Sequence, residues 1–262
     1  PPHPGSRALV AGATGVAGRS IVDALVESGW EVVALSRHIS HDPRPGVTAL
    51  PVDILDQQLL TDALNSQPIS HLFYAVQYRE RIARSKQVTN LRKLRRQLHL
   101  VGKLMPVLGL VPGAKSALYG RVARESGAAD PQKMNLRLFR SLLTALESPK
   151  HDLRHVALVT GGKHYGMHLG PALYPDYQTE FVEDAPRAPG PNWYYDIEDE
   201  LNKRHSTWSW SIFRPSFIVG YARDAPYNLG TTLAAYASLR KARGEPLVFF
   251  GDRRNRELRW DI

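Results

Sequence analysis

The chain has 262 residues, of which 43% are hydrophobic and 23% are charged, a composition that excludes a disordered or collagen-like protein. It contains no cysteine, which excludes disulfides, thiol catalysis and cysteine–metal sites, and no apolar run approaches the roughly 20 residues of a membrane helix. Its 34 lysine and arginine residues exceed its 25 aspartate and glutamate residues, and the formal net charge of +9 raises the question of an anionic partner.

Strand-like and helical stretches alternate along the chain. In chain order, hydrophobic patterning predicts strands at residues 8–11, 31–35, 47–52, 71–76, 155–160, 208–213 and 246–249. Helical periodicity lies between them, at residues 16–28, 55–65, 134–146, 194–203 and 231–243. Because strands separated by helices are typical of βαβ units, the pattern predicts an α/β fold with a doubly wound parallel sheet covered on both faces.

Nearly all of the excess positive charge lies in one segment. From Arg79 to Arg124, twelve lysine or arginine residues stand against one acidic residue, Glu80, so this segment carries +11 and the rest of the chain about −2. Apolar residues recur there at spacings of three and four, which predicts an amphipathic helix: Leu91, Leu94, Leu98, Val101 and Leu104.

Three interpretations of this basic helix are open. We favour a lid or a subunit interface, as in a homodimer, because a hydrophobic stripe in a globular protein is usually packed. The second interpretation is a peripheral membrane contact of residues 80–124 with anionic lipid. We rank contact with nucleic acid last, because no recognised binding module accompanies the charge.

A glycine-rich turn connects the first predicted strand to the first predicted helix. Its sequence is Gly12-Ala-Thr-Gly15-Val-Ala-Gly18. Such a turn lets backbone N–H groups approach a pyrophosphate, and the positive end of the helix favours the anion. The sequence therefore predicts a dinucleotide site, with a tight turn of purely structural role as the alternative.

The residues that follow the next two predicted strands indicate which dinucleotide is bound. Arg37 stands where an NAD site usually has an acidic residue, and a guanidinium matches the 2′-phosphate of NADP; a solvated loop arginine is the alternative. Asp53 and Ile54 end the third strand, where a side chain can meet the adenine edge. Asp53 equally suits the cap of a helix that begins near Leu55.

A lysine and two tyrosines indicate reductase chemistry. Lys163 follows the fifth predicted strand, at the sheet edge where doubly wound folds place ligands, and Tyr194 and Tyr195 begin a helix about thirty residues later. A nearby ammonium favours an ionised phenol or strengthens it as a donor. The usual Tyr-x-x-x-Lys spacing is absent, because Glu198 and Asp199 stand four residues after the tyrosines. The residues alone therefore leave open which tyrosine acts.

Two histidines in the same region, His164 and His168, have the spacing of metal ligands on a helix. Gly166 and Gly170 interrupt the stretch, and no carboxylate completes the set of ligands. We therefore expect no metal site.

Four motifs of the second half occur in a distinctive order. They are Thr160-Gly-Gly-Lys-His-Tyr165, Glu183-Asp184-x-Pro-Arg187, NWYYDIED at 192–199 and FRPSFIVG at 213–220. Together they resemble the progesterone 5β-reductase/iridoid synthase-like (PRISE) family of atypical short-chain dehydrogenases/reductases, over residues 7–78 and from Met134 to the end. The resemblance implies a Rossmann-type fold of the extended short-chain dehydrogenase/reductase kind. It also implies an NADPH-dependent oxidoreductase that transfers hydride to the β-carbon of an enone, a small-molecule carbonyl substrate.

The resemblance further implies roles for individual residues. Tyr194 matches the catalytic tyrosine, which would stabilise the developing enolate oxygen, and Lys163 matches the displaced lysine, which would keep the local field positive. The implied NADP(H) site consists of Gly12, Thr14, Gly15, Val16, Ala17, Arg37, His38, Asp53, Ile54, Ala75, Val76, Pro215 and Ile218. His38 and Trp193 depart from the family, which has arginine and phenylalanine there, and the histidine weakens the preference for NADP.

We interpret residues 1–262 as one NAD(P)-binding Rossmann-type domain, with an insertion at about 80–129 and the start of a C-terminal substrate-binding portion after about residue 221. Members of the family continue with a portion that closes over the substrate, so we expect part of the pocket to lie beyond Ile262. A ketone reductase or epimerase-type enzyme on the same fold, and a non-catalytic dinucleotide-binding sensor, are the alternatives. The amino end lacks a secretory pattern, so we expect a cytoplasmic protein, membrane-associated if the basic helix binds lipid.

Overall fold

A computed structural model of the chain describes residues 5–39, 44–78, 130–169, 180–204, 207–222 and 228–248. The basic helix predicted around Leu91–Leu104, and with it the predicted insertion at 80–129, lies outside these residues. Among the helices of the described part, none combines the length and the apolar character that a membrane span requires.

The described residues form six strands and five α-helices. The strands are Arg7–Ala11 (β1), Glu31–Leu35 (β2), Val47–Leu50 (β3), His71–Tyr74 (β4), His155–Val159 (β5) and Ser209–Phe213 (β6). The α-helices are Val16–Glu27 (α1), Gln57–Asn65 (α2), Pro131–Leu146 (α3), Trp193–Arg204 (α4) and Leu229–Ala242 (α5), and a 3₁₀ helix spans Gly162–Tyr165.

All six strands pair in parallel, in the order β3-β2-β1-β4-β5-β6, which confirms the predicted doubly wound sheet. β1 pairs with both β2 and β4, so the strand order reverses at this point. Ala11 lies opposite Leu35 on one side and opposite Tyr74 on the other. A doubly wound sheet places its ligand in the crevice at such a switch point, beyond the carboxyl ends of the strands.

Helices pack on both faces of the sheet. On one face, α2, α3 and α4 surround a core in which Phe139 and Leu201 are fully buried with Leu72 of β4. On the other face, α1 packs Val22 against Val10 of β1. In contrast, α5 buries none of its residues against the part of the chain that the structure describes. The two-sided core therefore fixes the central strands, whose carboxyl ends carry the predicted site residues.

Side-chain capping places the start of α2 later than the sequence predicts. Asp56, rather than Asp53, caps this helix: its carboxylate accepts the Leu59 N–H at 3.1 Å, and the helix begins at Gln57. The Asp53 carboxylate accepts the Leu55 N–H at 3.0 Å, in the turn before the helix. The capping role considered for Asp53 is therefore wrong, and its side chain lies outside the helix.

One predicted strand is not formed. Of the stretch predicted at 246–249, the described residues 246–248 belong to no strand. Their carbonyls bond to side chains of α5 instead: that of Pro246 accepts the Arg240 Nε–H at 2.9 Å, and that of Val248 accepts a tyrosine hydroxyl at 2.7 Å. The chain thus returns along α5, and these carbonyls do not join a strand ladder.

Candidate active site

Two glycines shape the turn after β1 because a side chain has no room at either position. Gly12 has a φ of +84°, and a Cβ there would lie 2.7 Å from the carbonyl oxygen of Ala75 and 3.3 Å from the nitrogen of Val76. A Cβ on Gly18, in α1, would lie 2.1 Å from the Gly12 carbonyl oxygen. The turn therefore packs backbone on backbone at the switch point, beside Ala75 and Val76 of the implied NADP(H) site.

The start of α1 fits an anionic group. Gly15 precedes the helix in an extended conformation, and no side chain among the described residues caps it, so the N–H groups of the first turn, Val16 and Ala17 among them, lack a side-chain acceptor there. The hydroxyls of Thr14 and Ser36, 2.8 Å apart, tie the turn to the end of β2. A glycine cradle at a helix start fits the pyrophosphate of a dinucleotide, and these turn residues would hold it.

The residues predicted for the adenosine end lie along the same edge of the sheet. Arg37 and His38 are exposed in the turn after β2. Asp53 is exposed in the turn that follows β3, while Ile54 is buried. A backbone hydrogen bond of 3.2 Å, from the residue after β2 to the last residue of β3, keeps these two strand ends side by side. The structure therefore brings the four residues to neighbouring strand ends.

The segment after β6 connects the two ends of the site. The Pro215 carbonyl accepts the N–H of Gly162 at 3.2 Å, next to the predicted catalytic lysine. Further along, a Cβ on Gly220 would lie 3.1 Å from the Val16 side chain at the start of α1. Ile218, between these contacts, is exposed. This segment, which carries Pro215 and Ile218 of the implied NADP(H) site, therefore lies between the lysine loop (residues 160–165) and the glycine turn (residues 12–18).

The 3₁₀ helix carries Lys163 and the first turn of α4 carries Tyr194, and one side chain bonds to both segments. Lys163 is exposed in the 3₁₀ helix after β5, whereas Tyr194 is 8% exposed in the first turn of α4. A Cβ on Gly161 would lie 3.2 Å from the Tyr194 hydroxyl oxygen, so the phenol reaches the carboxyl end of β5. The Asn192 side chain bonds to both segments, through the Lys163 carbonyl and the Tyr194 N–H, each at 3.1 Å.

The second tyrosine has a different environment. The Tyr195 hydroxyl lies 2.8 Å from the carbonyl oxygen of His164 and 3.0 Å from that of Ala188, and it donates to them. Its ring packs against Arg187, whose Cζ is 4.8 Å from the ring centroid. Burial raises the pKa of the Tyr195 phenol. These contacts give Tyr195 a structural role and favour Tyr194 as the tyrosine that meets a substrate.

A buried carboxylate joins the four sequence motifs. Glu198, on α4, is 1% exposed and lies among two arginines and a histidine, one from each of the other motifs. Arg214 places Nε and Nη2 each 3.3 Å from a carboxylate oxygen, and Arg187 Nη2 is 3.4 Å away. His164 Nδ1 lies 3.6 Å from the same carboxylate. We name these four residues the Glu198 cluster.

The cluster favours the neutral form of its histidine. Burial and the guanidinium of Arg214 lower the pKa of His164, while the charge of Glu198 opposes this shift. The imidazole packs edge-on against Tyr165, with 4.8 Å between the ring centroids. Within the described ranges, no group of three or more histidine, aspartate or glutamate side chains is arranged to hold a metal ion. His164 therefore serves the packing of the lysine loop.

Sequence reasoning missed the partners of two buried polar residues. In the sequence, Glu198 stands out only because it breaks the Tyr-x-x-x-Lys spacing, although an acidic residue on a buried helix face needs a cationic partner and arginines stand in the neighbouring motifs. Asn135 is buried in α3, and its Oδ1 accepts the Tyr78 N–H at 2.7 Å, which ties the chain after β4 to that helix. No local pattern marks this second contact.

Two family models match the chain. The model of the PRISE-like Rossmann-fold domain matches residues 117–249, and that of the NAD dependent epimerase/dehydratase family matches residues 8–126. Among solved structures, a UDP-glucose 4-epimerase of Thermus thermophilus, crystallised with NAD, has the same fold. The TM-score is 0.56 and the sequence identity 18%, over 92% of this chain and 64% of that chain.

Two curated relatives illustrate the extent of the similarity. The 3-oxo-Delta(4,5)-steroid 5-beta-reductase of Arabidopsis thaliana is 39% identical over 126 residues, which cover 46% of this chain and 32% of the relative. The (S)-8-oxocitronellyl enol synthase of Nepeta racemosa is 26% identical over 262 residues, which cover 94% of this chain and 55% of the relative. The chain thus spans between about a third and about half of the length of these relatives.

Proposed function

Because the chain belongs to the PRISE-like Rossmann-fold family, we propose that it carries the dinucleotide-binding and catalytic residues of an NADPH-dependent reductase of α,β-unsaturated carbonyl compounds. The two relatives support this substrate class. One is named for reducing a 3-oxo steroid with a double bond at 4,5, and the other for making an enol. Reduction of a conjugated carbonyl compound at its β-carbon passes through an enolate or enol, so both names fit one type of reaction.

The position of the Tyr194 hydroxyl carries this proposal. It lies beside Gly161 at the carboxyl end of β5, the edge of the sheet to which the glycine turn also belongs. The Tyr195 hydroxyl donates to backbone carbonyls instead. A phenol at the ligand edge of a dinucleotide-binding fold supports a role for Tyr194 as a proton donor or as a stabiliser of an oxyanion.

When bound, NADPH would supply a hydride for addition to the β-carbon of the substrate. The electrons of the carbon–carbon double bond move toward the carbonyl group, and negative charge develops on its oxygen. The Tyr194 phenol donates a hydrogen bond to this oxygen, and the Lys163 ammonium keeps the field around it positive. Addition of one proton to the enolate completes the reduction.

We propose NADPH rather than NADH because of Arg37. Its exposed guanidinium follows β2, where an acidic residue would bind the ribose 2′-hydroxyl of NAD. A guanidinium binds phosphate through two N–H groups at once. His38, beside it, is a weaker phosphate ligand than a second arginine, so we expect a preference for NADPH rather than strict selectivity.

Substitution of each tyrosine tests the proposal. With a panel of enones, ketones and enals, we expect the protein to oxidise NADPH fastest with enones, and NADH more slowly. Tyr194→Phe removes the donor and should lower kcat by a factor of about 100 or more while NADPH binding is retained. Tyr195→Phe is the matched control: it removes a hydroxyl that bonds to backbone carbonyls and should keep most of the turnover.

Each result has an opposite that contradicts one part of the proposal. Unchanged turnover of Tyr194→Phe, or loss of turnover in Tyr195→Phe instead, contradicts the role of Tyr194. Equal rates with NADH contradict the role of Arg37. Turnover of ketones alone would favour a ketone reductase, and NADPH binding without turnover of any compound would favour a dinucleotide-binding sensor.

A further inference from the structure

One buried side chain bonds to the backbone of both residues of the proposed catalytic pair. Asn192 is 7% exposed and directly precedes α4. Its Oδ1 accepts the N–H of Tyr194 at 3.1 Å, and its Nδ2 donates to the carbonyl of Lys163 at 3.1 Å. Its own carbonyl accepts the N–H of Tyr195 at 2.9 Å, which closes the first turn of the helix.

We infer that Asn192 is a positioning residue that sets the spacing between the lysine loop and the tyrosine helix. The inference rests on the proposed function, in which the Lys163 ammonium and the Tyr194 phenol act on one substrate oxygen. Since these two residues are about thirty positions apart in the chain, their relative placement depends on contacts that join the two segments. The Tyr195 hydroxyl bonds to the carbonyl of His164, whereas the Asn192 amide bonds directly to the backbone of Lys163 and of Tyr194.

An amide is suited to this task because it carries a donor and an acceptor on one planar group. The partners fix its orientation, since the Lys163 carbonyl only accepts and the Tyr194 N–H only donates. A carboxylate at this position keeps the acceptor for the helix N–H but has no donor for the carbonyl. A serine hydroxyl also caps a helix, without charge, but it is too short to reach the second partner.

The other side-chain caps of the described helices show the same difference between a carboxylate, which only accepts, and an amide, which also donates. Asp56 and Asp130 each precede a helix and accept one N–H. Asn228 precedes α5, accepts an N–H of that helix at 3.1 Å, and also donates to the Gly220 carbonyl at 2.9 Å. Aspartate thus stands where an acceptor is sufficient, and asparagine stands where the cap also holds a loop of the site.

The test uses the variants Asn192→Asp and Asn192→Ser. The control is Asp56→Asn, the reverse substitution of aspartate by asparagine, at the cap of α2. NADPH oxidation with an enone gives kcat and KM, and thermal unfolding gives the midpoint. We expect both Asn192 variants to lower kcat on the order of 10- to 100-fold, because small displacements of reacting groups have effects of this size. The KM for NADPH should be unchanged and Asp56→Asn should keep the wild-type kcat. Asn192→Ser should lower the midpoint by only a few degrees, because the Lys163 carbonyl loses its donor, and Asn192→Asp should lower it further, because it also buries a charge.

Hydrogen–deuterium exchange tests the contact without turnover. In both Asn192 variants, the amides of the 3₁₀ helix should exchange faster, while those of α4 keep their protection. An unchanged kcat overturns the positioning role. A fall in kcat also overturns it if the cooperative unfolding transition and the exchange protection of α4 are lost at the same time. A wild-type protein that oxidises no NADPH with any enone contradicts the proposed function instead. In that case, unchanged exchange in the 3₁₀ helix overturns the contact itself.

Discussion

The two ends of the site are built by different means. At the nucleotide end, the seven consecutive residues 12–18 form the turn, and backbone packs on backbone without a charged side chain. At the chemical end, the placement of Lys163 and Tyr194 depends on segments far apart in the chain, held by the amide of Asn192 and the buried carboxylate of Glu198. The glycine turn is encoded mainly by neighbouring residues, although it also contacts Ala75 and Val76, whereas the chemical end depends on long-range contacts throughout.

This difference implies that substitutions at the two ends impair the protein for different physical reasons. A substitution in the glycine turn changes the shape of the backbone, and its effect follows from the space available to the new atoms. A substitution in the Glu198 cluster changes which charges remain buried, and its effect follows from the groups left without a partner. Three experiments separate these two kinds of failure.

The largest effect is expected for Gly18→Ala at the nucleotide end. A Cβ there would lie 2.1 Å from the Gly12 carbonyl oxygen, so the turn and α1 must separate. We expect the free energy of unfolding, measured with urea, to fall by at least about 3 kcal/mol, and NADPH binding, measured by fluorescence titration, to be lost. Gly230→Ala in α5 is the control, because the nearest contact of its Cβ would be 3.4 Å. If the Gly18→Ala protein is as stable as the wild type, close backbone packing does not determine the structure of the glycine turn.

A smaller effect is expected for Glu198→Gln at the chemical end. The amide keeps the shape of the side chain but removes the buried negative charge between Arg187 and Arg214. We expect a loss of about 2 kcal/mol in the free energy of unfolding, with NADPH binding retained because the turn is untouched. Glu31→Gln, in an exposed pair with Arg7, should cost less than about 1 kcal/mol. Equal losses in the two variants would mean that burial of the cluster has no energetic consequence.

The smallest effect is the pH dependence caused by His164. Burial and Arg214 lower its pKa in the folded protein, so below the ordinary value of 6.5 the unfolded chain binds more protons than the folded chain. The contribution of His164 to the free energy of unfolding is therefore complete above about pH 6.5. It is lost as the pH falls, by at most about 1.4 kcal/mol per pH unit. His164→Gln should flatten this slope in unfolding experiments from about pH 8 to about pH 5.

Three other histidines contribute in the same direction, so the comparison must be made between variants. Burial is the first cause that lowers the pKa of His151, His155 and His168. If the slope of His164→Gln equals that of the wild type, the pH dependence belongs to these residues and the Glu198 cluster has no part in it.

The nucleotide end could be predicted from the sequence because its determinants are neighbours in the chain. The glycine spacing, the strand before it and the helix after it are all visible, and α1, predicted at 16–28, spans Val16–Glu27. The cap of α2 shows where local information ends. Asp53 and Asp56 both suit a cap by residue type, and only the geometry of the turn selects Asp56.

The chemical end could be predicted only as a set of motif residues. The sequence contains Lys163 and two adjacent tyrosines, but the choice between the tyrosines depends on the carbonyls that the Tyr195 hydroxyl meets in the fold. Glu198 is separated from Arg187 by eleven residues and from Arg214 by sixteen. Both arginines lie outside α4, so their association with Glu198 becomes visible only when the chain is folded.

The Glu198 cluster has a consequence for protein engineering. If Tyr194 is transferred to another Rossmann scaffold on its own helix, Glu198 is transferred with it, because it lies on the same helix four residues further on. Without the guanidinium groups of Arg187 and Arg214, the recipient would have to bury an uncompensated carboxylate or lose the helix. The smallest transplantable unit is therefore helix α4 together with Lys163 and both arginines, and a graft of the helix without the arginines should not fold around its new site.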